Sequence, residues 1–204
     1  MRVIACTATK GGVGKSTLAT ACAKLLAAQK CVPVLVDCDL TGTSIADGLR
    51  LKAPRVALLA DGSIDLEAEP TGEWFSVEET RRLRARRRDT KWGKHAPPPS
   101  YLNDVLNRVL EDNTPVRVDS ALWQHEKDDG VFYLPSSSVH QDMIDSIAWY
   151  NDRPAFEWAL CLLWSLDHLT QQNPYITDIV LDLPPGTWGF SQEAMVIVST
   201  LQRG

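Results

Sequence analysis

Eight residues near the start of the chain combine glycines, lysines and hydroxyl groups at a spacing suited to holding phosphate. They follow an apolar run over residues 3–9 that predicts a buried strand. The glycines let backbone N–H groups turn toward an anion, Lys15 can reach the β- and γ-phosphates, and the Ser16 hydroxyl can ligate Mg²⁺. A helix predicted after the loop adds the partial positive charge of its N-terminus. The predicted phosphate loop consists of Lys10, Gly11, Gly12, Val13, Gly14, Lys15, Ser16 and Thr17.

Aspartates stand at the ends of two further predicted strands. Asp37 and Asp39 follow an apolar run that begins at residue 32, and Asp182 ends a second run that begins at residue 178. Ligands of open α/β sheets bind at the carboxyl ends of parallel strands. The sequence therefore predicts that three strand ends, one of them leading into the phosphate loop, converge on one Mg²⁺–triphosphate.

The elements that must position these residues alternate between strands and helices. Residues 16–29 are rich in Ala and Leu, which favours a helix, and the flanking strands complete a right-handed βαβ unit. Further strands are predicted at residues 131–134 and 195–198, and a crossover helix at 154–171. We therefore expect an α/β fold with a mostly parallel, twisted sheet and helices on both faces.

The interval 51–130 interrupts this alternation. It is rich in turn-forming residues and contains helical patterns near residues 77–88 and 100–111. We interpret it as an insertion of loops and short helices within a single domain that spans residues 1–204.

Composition excludes several classes of protein. The 204 residues carry a net charge of −5, which gives no overall attraction to nucleic acid or anionic lipid. The longest apolar stretch, residues 155–166, is too short to span a bilayer and contains Glu157, so no transmembrane segment is predicted. Five cysteines show no C-x-x-C pair, and we expect reduced thiols in a cytoplasmic protein.

The phosphate loop departs from the ordinary G-x-x-x-x-G-K-[ST] motif in two ways, with Thr9 in place of the first glycine and an additional Lys10. In this form it resembles the deviant Walker A motif of the P-loop ATPases of the SIMIBI class. That family includes the MinD and ParA partitioning proteins, the Mrp/Nbp35 iron–sulfur carriers and the arsenite-pump ATPases. The resemblance implies ATP and Mg²⁺ as cofactors. It also implies a homodimer on ATP binding, in which Lys10 crosses the interface to the nucleotide of the partner subunit.

The two aspartate segments resemble the switch regions of the same family. By that resemblance Asp37 belongs to the Mg²⁺ site, Asp39 orients the attacking water, and Asp182 contacts Mg²⁺ through water. The Gly186 N–H is expected near the γ-phosphate. The implied catalytic residues are Lys10, Lys15 and Asp39. The implied metal-site residues are Ser16, Asp37 and Asp182, and Gly186 joins the phosphate loop in binding nucleotide.

The resemblance implies a switch ATPase of the ParA/MinD type, which hydrolyses ATP to ADP and phosphate and couples its nucleotide state to the positioning of a cargo or partner protein. The switch segments look closest to the Mrp/Nbp35 carriers, although Thr43 replaces a usual proline and their cluster-binding C-x-x-C is absent. A regulatory module that binds nucleotide without hydrolysis is a third alternative. Members of the family normally continue with further strands and helices beyond this point, so we expect that the chain is truncated at Gly204 relative to them.

A basic run within the insertion has two interpretations. Eight of the 21 Lys and Arg residues fall within residues 81–94. The run could contact DNA non-specifically through phosphates, or it could form a solvated helix paired with nearby glutamates, which we favour slightly. Its basic residues are Arg81, Arg82, Arg84, Arg86, Arg87, Arg88, Lys91 and Lys94. The glutamates are Glu67, Glu69, Glu73, Glu78 and Glu79.

Overall fold

The computed structural model describes residues 1–42, 44–55, 74–86, 100–112, 118–186 and 191–201. Thr43 and most of the basic run after residue 86 lie outside the described residues. In the part of the chain that is described, no helix combines the length and apolar character needed to cross a membrane.

The described residues form seven strands, seven helices and one 3-10 turn. The strands are β1 (Arg2–Cys6), β2 (Pro33–Asp37), β3 (Leu51–Pro54), β4 (Trp74–Ser76), β5 (Trp123–His125), β6 (Phe132–Leu134) and β7 (Asp178–Asp182). The helices are α1 (Lys15–Ala28), α2 (Ile45–Gly48), α3 (Val77–Arg86), α4 (Leu102–Asp112), α5 (His140–Asp152), α6 (Ala155–Gln172) and α7 (Ser191–Leu201). The 3-10 turn covers Val118–Ala121.

All seven strands belong to one sheet in the order β1-β7-β2-β6-β5-β3-β4. The first four strands are parallel to one another, whereas β5 pairs antiparallel with β6 and β3, and β3 pairs antiparallel with β4. The predicted α/β fold with a mostly parallel sheet is confirmed. Strand β7, which is late in the chain, lies between the two earliest strands, and this order brings the predicted phosphate loop and both aspartate segments to one edge.

The core has two layers, one on each face of the sheet, because side chains of a strand alternate between faces. In β2, Val34 and Val36 pack into one layer with α4 and α6, and Leu35 packs into the other with α1. Strands β2 and β7, at the centre of the parallel part, are buried along their whole length, as continuous apolar runs predict. The positions of the strand ends are therefore fixed by packing on both sides.

Two interpretations of the sequence need correction. Residues 195–198, interpreted as a strand, lie inside helix α7. Its apolar side chains include the buried Ala194, which belongs to the same core layer as α6. The interval 51–130 contains the predicted helices as α3 and α4, but its described part also contributes three strands to the sheet. These antiparallel strands were missed because each is only three or four residues long.

Candidate nucleotide-binding site

The predicted phosphate loop connects the end of β1 to the start of α1. Gly12 and Gly14 adopt φ angles of 72° and 86°, which disfavour residues with a side chain. A Cβ atom at either glycine would meet no heavy atom within 4 Å, so the protein does not fill the space there. Gly14 is the N-cap of α1, no side chain caps this helix, and its first turn carries no acidic residue. The loop therefore presents uncapped backbone N–H groups and a helix N-terminus, as an anion site requires.

Lys15 is the first residue of α1, and its ammonium group forms an ion pair with Asp182 at the end of β7. The side chains of Lys15 and Asp182 are 10% and 1% exposed. The pair therefore holds one positive and one negative charge together beneath the loop.

Three strand ends converge beside this pair. In the parallel register, Asp182 lies opposite Cys6 of β1 on one side and opposite Asp37 of β2 on the other. Backbone hydrogen bonds continue past the strands, from the Cys38 N–H to the Asp182 carbonyl at 3.0 Å and from the Leu183 N–H to the Cys6 carbonyl at 3.1 Å. The structure thus brings together the sequence-predicted aspartates Asp37 and Asp182 and the start of the loop.

Asp37 is buried, and three donors hold its carboxylate. Oδ2 accepts hydrogen bonds from the Ile45 N–H at 2.9 Å and from the Ser136 hydroxyl at 2.8 Å. Oδ1 accepts from the Asp39 N–H at 3.2 Å. Burial raises the pKa of Asp37 to about 6, and the negative charge of Asp182 adds to the rise, although the hydrogen bonds oppose it.

Asp39 lies in the loop that follows β2, and its carboxylate turns back into that loop. Oδ1 accepts from the Thr41 N–H at 3.4 Å and from the Thr41 hydroxyl at 3.3 Å. A Cβ atom at Gly42 would lie 2.7 Å from the Asp39 Cγ, so only glycine leaves room for this arrangement. The role of Asp39 in orienting water stays a prediction.

Gly186 joins the turn after β7 to the phosphate loop. Its N–H donates to the Ala8 carbonyl at 2.7 Å, and its φ of 69° again favours glycine. In this structure the N–H predicted to lie near the γ-phosphate therefore donates to the segment that leads from β1 into the loop.

The remaining loop side chains face outward. Lys10, Val13, Ser16 and Thr17 are exposed. Lys10 makes no hydrogen bond or ion pair with any of the residues that the structure describes. It is consequently free to reach a group outside its own chain, and the interface role implied by resemblance stays a prediction.

The oxygen donors at this edge suit Mg²⁺. Among the described residues, no group of three or more His, Cys, Asp or Glu side chains could hold a metal ion by itself. Mg²⁺ does not need such a cage, because it is usually bound by one or two carboxylates together with substrate phosphates and water. Ser16, Asp37 and Asp182 supply one hydroxyl and two carboxylates beside the phosphate loop, so the donor chemistry fits.

Two residues near the site were not assigned to it from the sequence. Ser136 follows β6, and its hydroxyl donates to the Asp37 carboxylate. Tyr150 of α5 packs against the core layer that contains Cys38 and Leu40. Burial, and then the charges of Cys38 and Asp39, raise the pKa of Tyr150. Their strands and helices are about 100 residues from β2 in the chain, so only the sheet order reveals them.

Helix α3 contains the described start of the basic run. Ser76 and Glu79 form a capping box, because Glu79 accepts from the Ser76 N–H at 2.9 Å and the Glu79 N–H donates to the Ser76 hydroxyl at 3.2 Å. The guanidinium of Arg81 pairs with Asp47 of α2. Glu79 therefore caps the helix, and Arg81 is bound by an aspartate near the switch segment. Pairing with Glu67, Glu69 and Glu73 lies outside the described residues.

One family model matches the first third of the chain. Residues 1–71 match the family model described as ParA, NUBPL iron-transfer P-loop NTPase. No curated protein matches the chain in sequence.

Several solved structures share the fold. One is cobyrinic acid a,c-diamide synthase from Mycobacterium smegmatis with bound ADP and magnesium, at a TM-score of 0.54 and 20% identity over 95% of this chain and 55% of that chain. The same enzyme with a bound ATP analog and magnesium has a TM-score of 0.52 and 19% identity, again over 95% of this chain and 55% of that chain. Protein DIP2308 from Corynebacterium diphtheriae has a TM-score of 0.56 and 18% identity, over 96% of this chain and 55% of that chain. At these identities the similarity shows the fold alone, and the chain spans about half the length of these proteins.

Proposed function

We propose that this chain, a P-loop NTPase of the ParA/MinD type, is a Mg²⁺-ATP-dependent switch that dimerises on ATP binding, hydrolyses ATP to ADP and phosphate, and couples its nucleotide state to the positioning of a cargo. The observation that carries the proposal is the convergence of the phosphate loop, Asp37 and Asp182 on one sheet edge. It is supported by the uncapped start of α1 and by the outward-facing Lys10.

The proposed mechanism assigns a step to each side chain. Lys15 leaves Asp182 and neutralises the β- and γ-phosphates, while backbone N–H groups of residues 11–16 hold the phosphate oxygens. Asp39 orients a water in line with the γ-phosphate. The partner subunit's Lys10 stabilises the charge that develops in the transition state. Ser16, Asp37 and Asp182 would hold a Mg²⁺ ion, which would neutralise further phosphate charge.

Lys10→Ala tests the dimer and the hydrolysis together. Because Lys10 is exposed and makes no hydrogen bond or ion pair with any described residue, its loss should leave the fold unchanged. We expect ATP-dependent dimerisation, followed by light scattering, to weaken at least tenfold and turnover to fall by a similar or larger factor. The matched control is Lys127→Ala, another exposed lysine, at a turn remote from the site.

The alternatives give different results in the same assays. A regulatory module would bind ATP without releasing phosphate in either variant. If Lys10→Ala dimerised and turned over ATP like Lys127→Ala, the switch mechanism would be wrong. Wild-type chain that bound no nucleotide with Mg²⁺ present would overturn the proposal as a whole.

A second candidate function is iron–sulfur cluster carriage of the Mrp/Nbp35 kind. The observation that favours it is the iron-transfer description of the family model that matches residues 1–71. Anaerobic reconstitution with iron and sulfide tests this function, and a visible absorption band that survives desalting would support it.

We propose a cytoplasmic location for the protein. The five cysteines form no disulfide, which is compatible with that compartment.

We further propose, as part of the switch function, that residues 81–88 bind DNA non-specifically. It is supported by the finding that the Glu79 carboxylate caps α3 by accepting hydrogen bonds from the Ser76 N–H and hydroxyl. Affinity for duplex DNA should fall steeply with salt and lose that salt dependence when Arg82, Arg84 and Arg86 are neutralised. Equal binding by the neutralised variant would favour the solvated-helix interpretation.

A further inference from the structure

The carboxylate of Asp37 receives its donors from two different parts of the fold. The N–H groups of Asp39 and Ile45 belong to the same connection, residues 37–45, as the carboxylate that they hold. Among the described contacts of Asp37, the Ser136 hydroxyl alone comes from another element. The two backbone donors would move with the connection, whereas Ser136 would not.

Ser136 itself is fixed on both sides. The preceding residue, Pro135, accepts a hydrogen bond from the Leu102 N–H at 2.9 Å, and the following N–H, of Ser137, donates to the Asn103 side chain at 2.7 Å. Both partners lie at the start of α4. Ser136 is fully buried, and Asp37 is only 1% exposed. The hydroxyl is therefore held at a fixed point beside the sheet and aimed at one carboxylate oxygen.

A second serine of the same segment contacts the far end of the connection. The Ser138 hydroxyl donates to Asp47 of α2 at 3.0 Å. The end of β6 thus holds the segment from Asp37 to Asp47 at both ends, with the buried contact on the side of the candidate metal site.

We propose that Ser136 is a positioning residue that fixes the orientation of the Asp37 carboxylate for the Mg²⁺ of a bound nucleotide. The inference rests on the proposed function, because it needs the Mg²⁺–nucleotide site. Residues that orient a metal-binding group act through hydrogen bonds, and losing one typically lowers metal affinity 10- to 100-fold. Ser136 does not touch the nucleotide, so it should leave Mg²⁺-free nucleotide affinity unchanged.

The test is a Mg²⁺ titration of the binding of a fluorescent ADP, with Ser136→Ala compared to Ser137→Ala. Ser137 is an ideal control, since it is equally buried and its hydroxyl donates to a carboxylate, that of Asp142, at 2.6 Å, away from the site. We expect Ser136→Ala to raise the Mg²⁺ concentration at half-saturation about 10- to 100-fold, with unchanged affinity in EDTA. Ser137→Ala should lose thermal stability but keep the wild-type Mg²⁺ dependence.

Ser136→Cys provides a second variant in case the alanine variant does not fold. It retains a side chain of similar shape but replaces the hydroxyl with a weaker donor, so the Mg²⁺ midpoint should rise in the same direction. Unchanged midpoints in the Ser136 variants, or an equal rise in Ser137→Ala, would overturn this inference while leaving the proposed function intact. A wild-type chain that bound no nucleotide at any Mg²⁺ concentration would overturn both.

Discussion

The ammonium group of Lys15 and the carboxylate of Asp182 form an ion pair that joins the first turn of α1 to the end of β7. Our proposal assigns Lys15 to the phosphates of the nucleotide and Asp182 to the metal site. In the ion pair the two charges neutralise each other. Under the proposed mechanism this pair separates on nucleotide binding, because Lys15 turns to the phosphates and Asp182 belongs to the metal site. The stability of the nucleotide-free protein and its affinity for nucleotide are therefore linked through these two side chains.

Lys15→Met should destabilise the nucleotide-free protein, because it leaves the buried carboxylate of Asp182 without its cation. Removing one partner of a buried pair costs about 3–5 kcal/mol in the free energy of unfolding. The double variant Lys15→Met/Asp182→Asn should be less destabilised than the sum of the two single variants, since it buries no lone charge. Urea unfolding of all four proteins measures the coupling, and strictly additive effects would contradict a buried pair.

The pH dependence of stability should report the burial of Asp37. Its pKa is raised from 3.8 to about 6, so the folded state holds the proton more tightly than the unfolded state. That contribution to stability is complete below pH 4 and is lost as the pH rises through 6. One pKa unit corresponds to about 1.4 kcal/mol. Between pH 4 and 7, the free energy of unfolding of the wild type relative to Asp37→Asn should therefore fall by about 2–3 kcal/mol.

Chemical unfolding of both proteins in EDTA, at several pH values, measures this difference. The comparison with Asp37→Asn removes the contribution of every other titrating group that the two proteins share. A difference that stayed constant, or that grew in favour of wild type with rising pH, would show that the carboxylate is not desolvated as described.

The sequence predicted the parts of this site that depend on local spacing. The loop at residues 10–17 and the aspartates at strand ends follow from short patterns whose chemistry is largely independent of the rest of the fold. The partner of Lys15 could not be predicted, because it depends on β7 inserting between β1 and β2. Ser136 was missed for the same reason. Residues 195–198 were misread because a short run of Met, Val and Ile fits a buried strand as well as a helix.

Gly14→Ala should weaken both the fold and phosphate binding, because the φ of Gly14 is 86° and L-residues rarely adopt it. The left-handed conformation costs a residue with a side chain about 1–2 kcal/mol. The matched control is Gly48→Ala in α2, which lies outside the loop, whose Cβ also meets open space and whose φ is not positive. Thermal unfolding and nucleotide affinity should separate the two variants, and equal behaviour would mean that the loop conformation is wrong.

Gly42→Ala should move the Asp39 carboxylate without straining the backbone. The added Cβ would lie 2.7 Å from the Asp39 Cγ, whereas the φ of Gly42 is not positive. If Asp39 orients the attacking water, displacing it should lower kcat at least tenfold while nucleotide affinity stays within a factor of two. Gly48→Ala in α2 is the control, because its Cβ meets no heavy atom within 4 Å. A Gly42→Ala variant that lost nucleotide affinity but kept kcat would instead place Asp39 in binding, and turnover equal to that of Gly48→Ala would remove it from the mechanism.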